Sequence, residues 1–346
     1  MRLGHDDRAI WSKQGKLGER RRLLSRVCFP NLLSYPFSTQ AIMSETSANP
    51  SLEYNQSLQS RLPQAQPTRS AVSRLHDIQL LVLDLDGTTV GVSNQIQPAV
   101  YEAIQQARQR GVKVAIATGR MYCSALRFYQ ELQLTLPLMA YQGALIQDPA
   151  TGYLHQHLTV PQAYVLELLE LLDQPELQDS ISLHLYINDR LYVRAILPET
   201  EAYALRSSIE PIPVGDLRQV LQVEPTKVLA LSRQVDLIND LLRTLQQRYT
   251  PSELYLTKSV DTFLEATHPL VNKGTAVQYL AEEVLGLQAE NVMVIGDNFN
   301  DLEMLQYAGL GVAMGNAPEG VKAIANWIAP DVEQDGVAAA ITEFLL

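Results

Sequence analysis

Ile78-Gln79-Leu80-Leu81-Val82-Leu83-Asp84-Leu85-Asp86-Gly87-Thr88-Thr89 decides the fold. The run from Ile78 to Leu83 is almost wholly apolar and reads as a buried strand. It ends in two aspartates two residues apart, which leave an extended backbone on the same face. Gly87 then lets the chain turn where a side chain would clash. Two more apolar runs close in the same manner. Val112 to Ala117 leads into Thr118-Gly119-Arg120, and Val292 to Ile295 leads into Gly296-Asp297-Asn298-Phe299-Asn300-Asp301. A fourth motif, Asn272-Lys273-Gly274, precedes a helical segment. Pro98 to Gln109 reads as a helix opened by Pro and ended at Gly111, Tyr122 to Leu132 as another, and Leu138 to Tyr141 as a third strand. The β-α-β-α-β order predicts an α/β fold with a doubly wound parallel sheet and right-handed crossovers. Ligands of such sheets bind beyond the carboxyl ends of the strands, so three of the four motifs are expected on one rim.

The rhythm changes between about 158 and 263. Ser182 to Ile187 and Leu191 to Arg194 flank Asn188-Asp189-Arg190, which reads as a tight hairpin. A strand (Lys227 to Leu231), a helix (Val235 to Arg248) and two strands around Leu254 and Phe263 follow. Hairpins mixed with helices predict an inserted α+β domain. The expected division is a core of residues 74–157 and 264–346 with an insertion of 158–263. Residues 1–73 stand apart. Met1 to Ile42 hold eight Lys/Arg and three Asp/Glu, and residues 43–73 are rich in Ser, Gln, Pro and Asn. That composition predicts disorder. A targeting peptide, or synthesis beginning at Met43, are the other readings.

The net charge is −11 over 346 residues, and the first 42 carry +5, leaving −16 for the remainder. Nucleic-acid binding is therefore not expected, because phosphate backbones demand clustered Lys and Arg. A small phosphorylated substrate is compatible, since a metal and one Lys reverse the local field. No apolar run approaches the length of a membrane span. Cys28 and Cys123 match no zinc or redox spacing, and a reducing compartment is expected. The expected partner is a small phosphorylated metabolite, the location cytoplasmic with organellar targeting left open, and the assembly a monomer or weak homo-oligomer.

The four motifs divide the chemistry of phosphoryl transfer. Asp84, with an ordinary carboxylate pKa, would be ionised and nucleophilic. Asp86, its pKa raised, would protonate the leaving alkoxide and later activate water. Attack by Asp84 on phosphorus gives an aspartyl-phosphate and splits one hard step into two. Asp84 and Asp297, with a backbone carbonyl such as that of Asp86, match the oxygen ligands Mg²⁺ prefers. Lys273 would face the phosphoryl group and hold the carboxylates together. Thr118 and Gly119 can cradle phosphate oxygens. Asn300 can touch phosphate, although it or Asp297 could simply cap the following helix. Arg120 is read as a loop-anchoring ion pair and Cys123 as a small apolar filler. His184 would face solvent or substrate, and the tyrosines of the insertion read as core.

Together the motifs resemble the haloacid dehalogenase (HAD) superfamily, specifically its Cof-like hydrolases with a type IIB cap. The resemblance covers about residues 76–346 and is strongest in Leu81–Thr89, Val114–Arg120, Asn272–Gly274 and Val292–Ala317. It implies a Rossmann-like core, a cap inserted between the second and third motifs, and Mg²⁺. By that likeness Asp84 is the nucleophile and Asp86 the acid/base. Asp84, the Asp86 carbonyl and Asp297 hold the metal, Thr118, Gly119, Lys273 and Asn300 contact phosphate, and Asp301 supports Lys273. Relatives often carry Asn-Gly-Ala where this chain has Gln142-Gly143-Ala144, so any contact made there is altered. The expected activity is hydrolysis of small phosphate monoesters, such as sugar phosphates or phosphorylated cofactors. A phosphosugar mutase, a sucrose-phosphate phosphatase and a non-enzymatic phospho-ligand-binding protein are the alternatives.

Overall fold

A computed structural model describes residues 77–346. The expectation of disorder over 1–73, and Cys28 with it, lies outside the described residues. The core is a five-stranded parallel sheet in the order β14-β13-β12-β1-β2. Its strands are β1 (Leu80–Leu83), β2 (Lys113–Ile116), β12 (Val292–Gly296), β13 (Leu310–Ala313) and β14 (Trp327–Ile328). β1 lies in the centre, with Leu83 opposite Ile295 on one side and Ile116 on the other. The chain ends of β1, β2 and β12 are therefore neighbours. All four β1 residues are buried because helices cover both faces. Leu81 and Leu83 pack with helices Pro98–Gln109, Tyr122–Glu131 and Gly336–Leu345, while Leu80 and Val82 pack with Lys273–Gln278 and Leu302–Tyr307. Helix Pro98–Gln109 starts with proline, whose fixed φ suits a first turn. Its buried residues Val100, Ala103, Ile104 and Ala107 fall at helical spacing on one face.

The third strand departs from expectation. β3 (Leu138–Ala140) touches the core sheet through one parallel bridge, Ala117 to Met139. It then pairs antiparallel with β4 (Leu145–Gln147), which pairs with β5 (Leu154–His157). A left-handed turn at Tyr141, Gln142 and Gly143 (φ 53°, 61° and 94°) reverses the chain and takes the strand out of the parallel sheet.

The second sheet has six strands in the order β10-β11-β9-β6-β7-β8. They are β6 (Ser182–Ile187), β7 (Arg190–Val193), β8 (Pro211–Pro213), β9 (Lys227–Leu231), β10 (Tyr255–Thr257) and β11 (Phe263–Thr267). The β6–β7 hairpin turns through Asn188 and Asp189, both at positive φ (50° and 56°), as a type I′ turn requires. Alternation sorts the two faces. Leu183, Leu185, Val228, Ala230, Leu264 and Ala266 pack with helices Gln162–Leu172 and Val235–Arg248. Tyr186, Leu229, Leu231 and Phe263 pack on the other side with Met121 and Tyr141 of the core. This sheet is thus a cap on the rim where the motifs lie.

Among the described residues, no helix is long and apolar enough to cross a membrane.

Candidate active site

Asp84 continues β1 and Asp297 continues β12, and parallel pairing of those strands puts the two carboxylates side by side. Carboxylate oxygens of Asp84, Asp297 and Asp301 lie within 4.8 Å of one another, all three buried. Lys273, fully buried, reaches them from the first turn of its helix, which Asn272 caps by accepting from the Thr275 N–H at 2.8 Å. The Lys273 Nζ donates to Asp84 Oδ1 at 2.5 Å and to Asp301 Oδ1 at 2.6 Å. Burial would strip the Lys273 proton, but Asp301 and Asp84 outweigh it and raise the ammonium pKa above its ordinary value.

Asp301 is a scaffold. Its Oδ2 accepts from the backbone N–H groups of Asp297 (2.8 Å) and Asn298 (3.0 Å). Asn298 accepts from the Phe299 N–H at 2.8 Å, so Asn298 and Asp301 form the capping box of this turn rather than Asp297 or Asn300. Asp297 is positioned by Thr88, whose hydroxyl donates to its Oδ1 at 3.0 Å. Asn316 donates to the Gly87 carbonyl at 2.9 Å and lies 3.4 Å from Asp297 Oδ2. Gly87 itself has φ +80°, and a Cβ there would stand 2.3 Å from Asp297 Oδ2.

The electrostatics reverse the expectation for the first two aspartates. Burial lifts the pKa of Asp84 to about 7, against the pull of Lys273, with the charges of Asp301 and Asp86 adding to the rise. For Asp86 burial also acts upward, but hydrogen bonds and charge from Arg120 and then Arg206 hold it below the ordinary carboxylate value. Arg120 binds it with two prongs, Nε to Oδ2 and Nη2 to Oδ1, each at 2.6 Å. Arg206, from helix Pro198–Ser207 of the cap, donates to the same Oδ1 at 2.9 Å. Arg120 is thus the expected anchor. Asp297 rises well above its ordinary value through burial and the repulsion of Asp84 and then Asp301.

Thr118 and Gly119 end their strand beside Asp84, where the Thr118 hydroxyl accepts from the Arg120 N–H at 3.1 Å. The Gly119 carbonyl accepts from Lys227 of the cap at 3.0 Å. Asn300 is buried and donates to Gln142 Oε1 at 3.0 Å. Cys123 is exposed as a residue rather than a filler, while partial desolvation of its sulfur, then the charge of Asp189, pushes the thiol pKa up to about 12. Its backbone N–H donates to Asp189 at 2.8 Å, so the tip of the cap hairpin closes the start of the core helix. His184 does not face solvent: it is buried, 3.1 Å from the hydroxyl of Thr200.

With all three carboxylates ionised, one ammonium leaves a buried formal charge of −2. Hard oxygen donors with that excess fit a divalent cation such as Mg²⁺. Because Asp301 is engaged by Lys273 and two backbone donors, Asp84 and Asp297 are the pair that fits it. The carboxylate of Asp86 is held by arginines, which leaves its carbonyl as the group that could join them.

Sequence reasoning gave no role to Thr88, Asn316, Arg206 or Lys227. Thr88 and Asn316 lie inside quoted motifs, whereas the two cap residues carry no local signal.

This architecture and site define a class. The sequence profile of haloacid dehalogenase-like hydrolases matches residues 81–341. The chain belongs to that family and is a hydrolase. It is 30% identical over 268 residues to the 5-amino-6-(5-phospho-D-ribitylamino)uracil phosphatase YitU of Bacillus subtilis, covering 77% of this chain and 97% of that protein. It is 28% identical over 285 residues to the pyridoxal phosphate phosphatase YbhA of Escherichia coli, covering 78% and 99%. Among solved structures, a haloacid dehalogenase-like hydrolase from Bacteroides thetaiotaomicron superposes with a TM-score of 0.68 at 26% identity, covering 77% of this chain and 98% of that one.

Proposed function

We infer that the protein is a Mg²⁺-dependent phosphatase of small phosphate monoesters, acting through an aspartyl-phosphate on Asp84. The observation that carries this reading is the buried Lys273, bound at once to Asp84 and Asp301 beside Asp297. An ammonium held there neutralises negative charge at the point where phosphoryl oxygens would gather. Mg²⁺, held by Asp84, the Asp86 carbonyl and Asp297, would supply charge neutralisation and orient the phosphoryl group when bound.

Each residue then has a task. Asp84 attacks phosphorus as the carboxylate, a form that Lys273 favours against burial; a divalent cation held beside it would lower its pKa from about 7. Lys273 keeps it aligned. Thr118, Gly119 and Asn300 surround the phosphoryl oxygens. Asp86 passes a proton to the leaving oxygen as the ester P–O bond breaks, and later takes one from the water that cleaves the aspartyl-phosphate, freeing phosphate and Asp84. Because Arg120 and then Arg206 hold it ionised, it can carry that first proton only once both grips loosen on substrate entry. The cap excludes water and selects the leaving group. We take the cap as residues 158–267, because β11 belongs wholly to its sheet, and the core as the remainder of 77–346. Sugar phosphates and phosphorylated cofactors are the substrate class, and the names of the relatives support it. The chain acts as a monomer or weak homo-oligomer in the cytoplasm.

The test is phosphate release across a panel of phosphate monoesters with Mg²⁺, for wild type and Asp84→Asn. Turnover by the wild type and its loss in the folded variant is the expected result. No turnover on the panel, or substantial activity left in Asp84→Asn, refutes the assignment.

A further inference from the structure

Gln142 has no task in the reading above, yet it is built into the same site. Its side chain is 1% exposed. The Oε1 accepts from Asn300, and the backbone N–H donates to the Thr118 carbonyl at 2.9 Å. Among the described residues, Nε2 has no hydrogen-bond partner. A buried amide donor cut off from water and given no acceptor is a cost that folding does not recover.

The backbone is strained to put it there. Tyr141, Gln142 and Gly143 are left-handed in succession, and two of them are not glycine. Such strain persists only where surroundings over-determine it, and it gathers at ligand sites. Here the Tyr141 N–H donates to the Arg120 carbonyl at 2.9 Å, the Tyr141 hydroxyl donates to Asp189 at 2.8 Å, and Gln156 donates to the Gly143 carbonyl at 2.8 Å. The result is close approach on two sides. A Cβ on Gly119 would stand 2.5 Å from Gln142 Nε2, so the amide lies against a bare α-carbon of the second motif. A Cβ on Gly143 would stand 2.6 Å from that of Ala276 and 3.1 Å from the Asn272 carbonyl, so the turn also seats on the Lys273 helix. Asn300 orients the amide: with a donor on Oε1, the other end presents N–H groups.

We propose that Gln142 is a ligand-binding residue whose Nε2 donates to a phosphoryl oxygen at the site bounded by Gly119 and Asn300. The proposal rests on the phospho-ligand reading of that site and adds a donor to it. Asn300 then acts partly as a positioning residue, holding the Gln142 amide with its N–H groups toward the ligand. The strained turn is the device that lets one side chain meet the second motif, the fourth motif and the ligand together.

Isothermal titration of the full chain with orthophosphate, in Mg²⁺ at pH 8, tests this without turnover. Gln142→Glu keeps an oxygen for Asn300 and replaces the donor with an anion, while Gln142→Met removes both functions. Both variants are expected to bind orthophosphate at least about tenfold more weakly, the loss of one hydrogen bond to a charged group. Gln142→Asn suits a left-handed backbone and guards against misfolding; its shortened amide is expected to lose affinity by a similar factor. Affinity within twofold of wild type in Gln142→Glu overturns the proposal, because accepting from Asn300 would then be the whole role. Unchanged affinity in Gln142→Met or folded Gln142→Asn overturns it too, as does a wild type that binds no orthophosphate. A wild type that binds orthophosphate, loses that binding in the variants and hydrolyses nothing on the panel refutes the phosphatase reading and leaves Gln142 standing.

Discussion

Replacing Lys273 with methionine removes the one cation among three buried carboxylates while keeping most of the side-chain length. The ammonium is fully buried, and neither Asp84 nor Asp301 is more than 6% exposed in its side chain, so solvent screening does not weaken the interaction. Removing one partner from a buried ion pair costs about 3–5 kcal/mol. The variant can relieve this only by taking up protons. Asp84 already titrates near 7 with Lys273 in place, and without it the value rises further. A carboxylate whose folded pKa lies above its unfolded value of 3.8 binds more protons folded than unfolded. Its stability is complete below the unfolded pKa and is lost as pH rises through the folded one. Through Asp84 the wild type gains from acidification only below about pH 7, whereas the variant gains through it across the whole interval from pH 8 to 6. Each such group is worth about 1.4 kcal/mol per pH unit, so the gap should close by about that much or more. Urea unfolding of both proteins at pH 8 and pH 6, in a chelating buffer, measures it. The expected loss is about 3–5 kcal/mol at pH 8 and smaller at pH 6. A variant within about 1 kcal/mol of wild type at pH 8, or a gap that widens at pH 6, refutes the reasoning.

Other perturbations probe other parts of the molecule. Gly87→Ala should destabilise the protein by about 1–3 kcal/mol through its left-handed backbone, and should displace Asp297 so that Mg²⁺ raises the melting temperature less; melting and Mg²⁺ response equal to wild type would contradict this. Lys227 and Glu265 form an ion pair at 3.0 Å with side chains 4% and 1% exposed. Lys227→Met should therefore cost about 3–5 kcal/mol, and adding Glu265→Leu should return most of it; a double variant less stable than Lys227→Met speaks against the pair. Burial, then the charge of Lys227, lowers the pKa of His184 to about 3. The unfolded chain takes its proton first, so stability should fall as pH drops below 6.5, by about 2 kcal/mol at pH 5. His184→Gln should lose that slope in urea unfolding, and an unchanged slope would place the pH dependence elsewhere.

What could be read from the sequence was local. Apolar runs fixed β1, β2 and β12, and the Asn188-Asp189 pair announced a turn that positive φ at both residues requires. Lys273 could be chosen from among seven lysines because the motif context singled it out. The misses have long-range causes. Nothing near Asp86 says that Arg120, 34 residues away, and Arg206, 120 residues away, will both bind it, so the sequence implies a raised pKa where the structure lowers it. Asp84 reads as an ordinary carboxylate because the groups that enclose it, Lys273 at a separation of 189 residues and Asp297 and Asp301 of the fourth motif, are distant in the chain. The run Leu138 to Tyr141 has the composition of a parallel strand. Its departure from the sheet comes from the left-handed turn that follows, which Tyr and Gln do not advertise.

The cap holds the rim through a few contacts that fall on the motifs themselves. Arg206 donates to Asp86 of the first motif, Lys227 donates to Gly119 of the second, and Asn94 beside the first donates to the Arg206 carbonyl at 2.8 Å. Moving the cap sheet away from the core would break all three together. Asp86 would then keep Arg120 alone, and the Gly119 carbonyl would face solvent. The same two cap residues therefore set the surroundings of Asp86 and of the Gly119 carbonyl. Cap and rim are joined through hydrogen bonds as well as apolar packing, which is why single substitutions at Arg206 or Lys227 would change the rim without touching any residue of the four motifs.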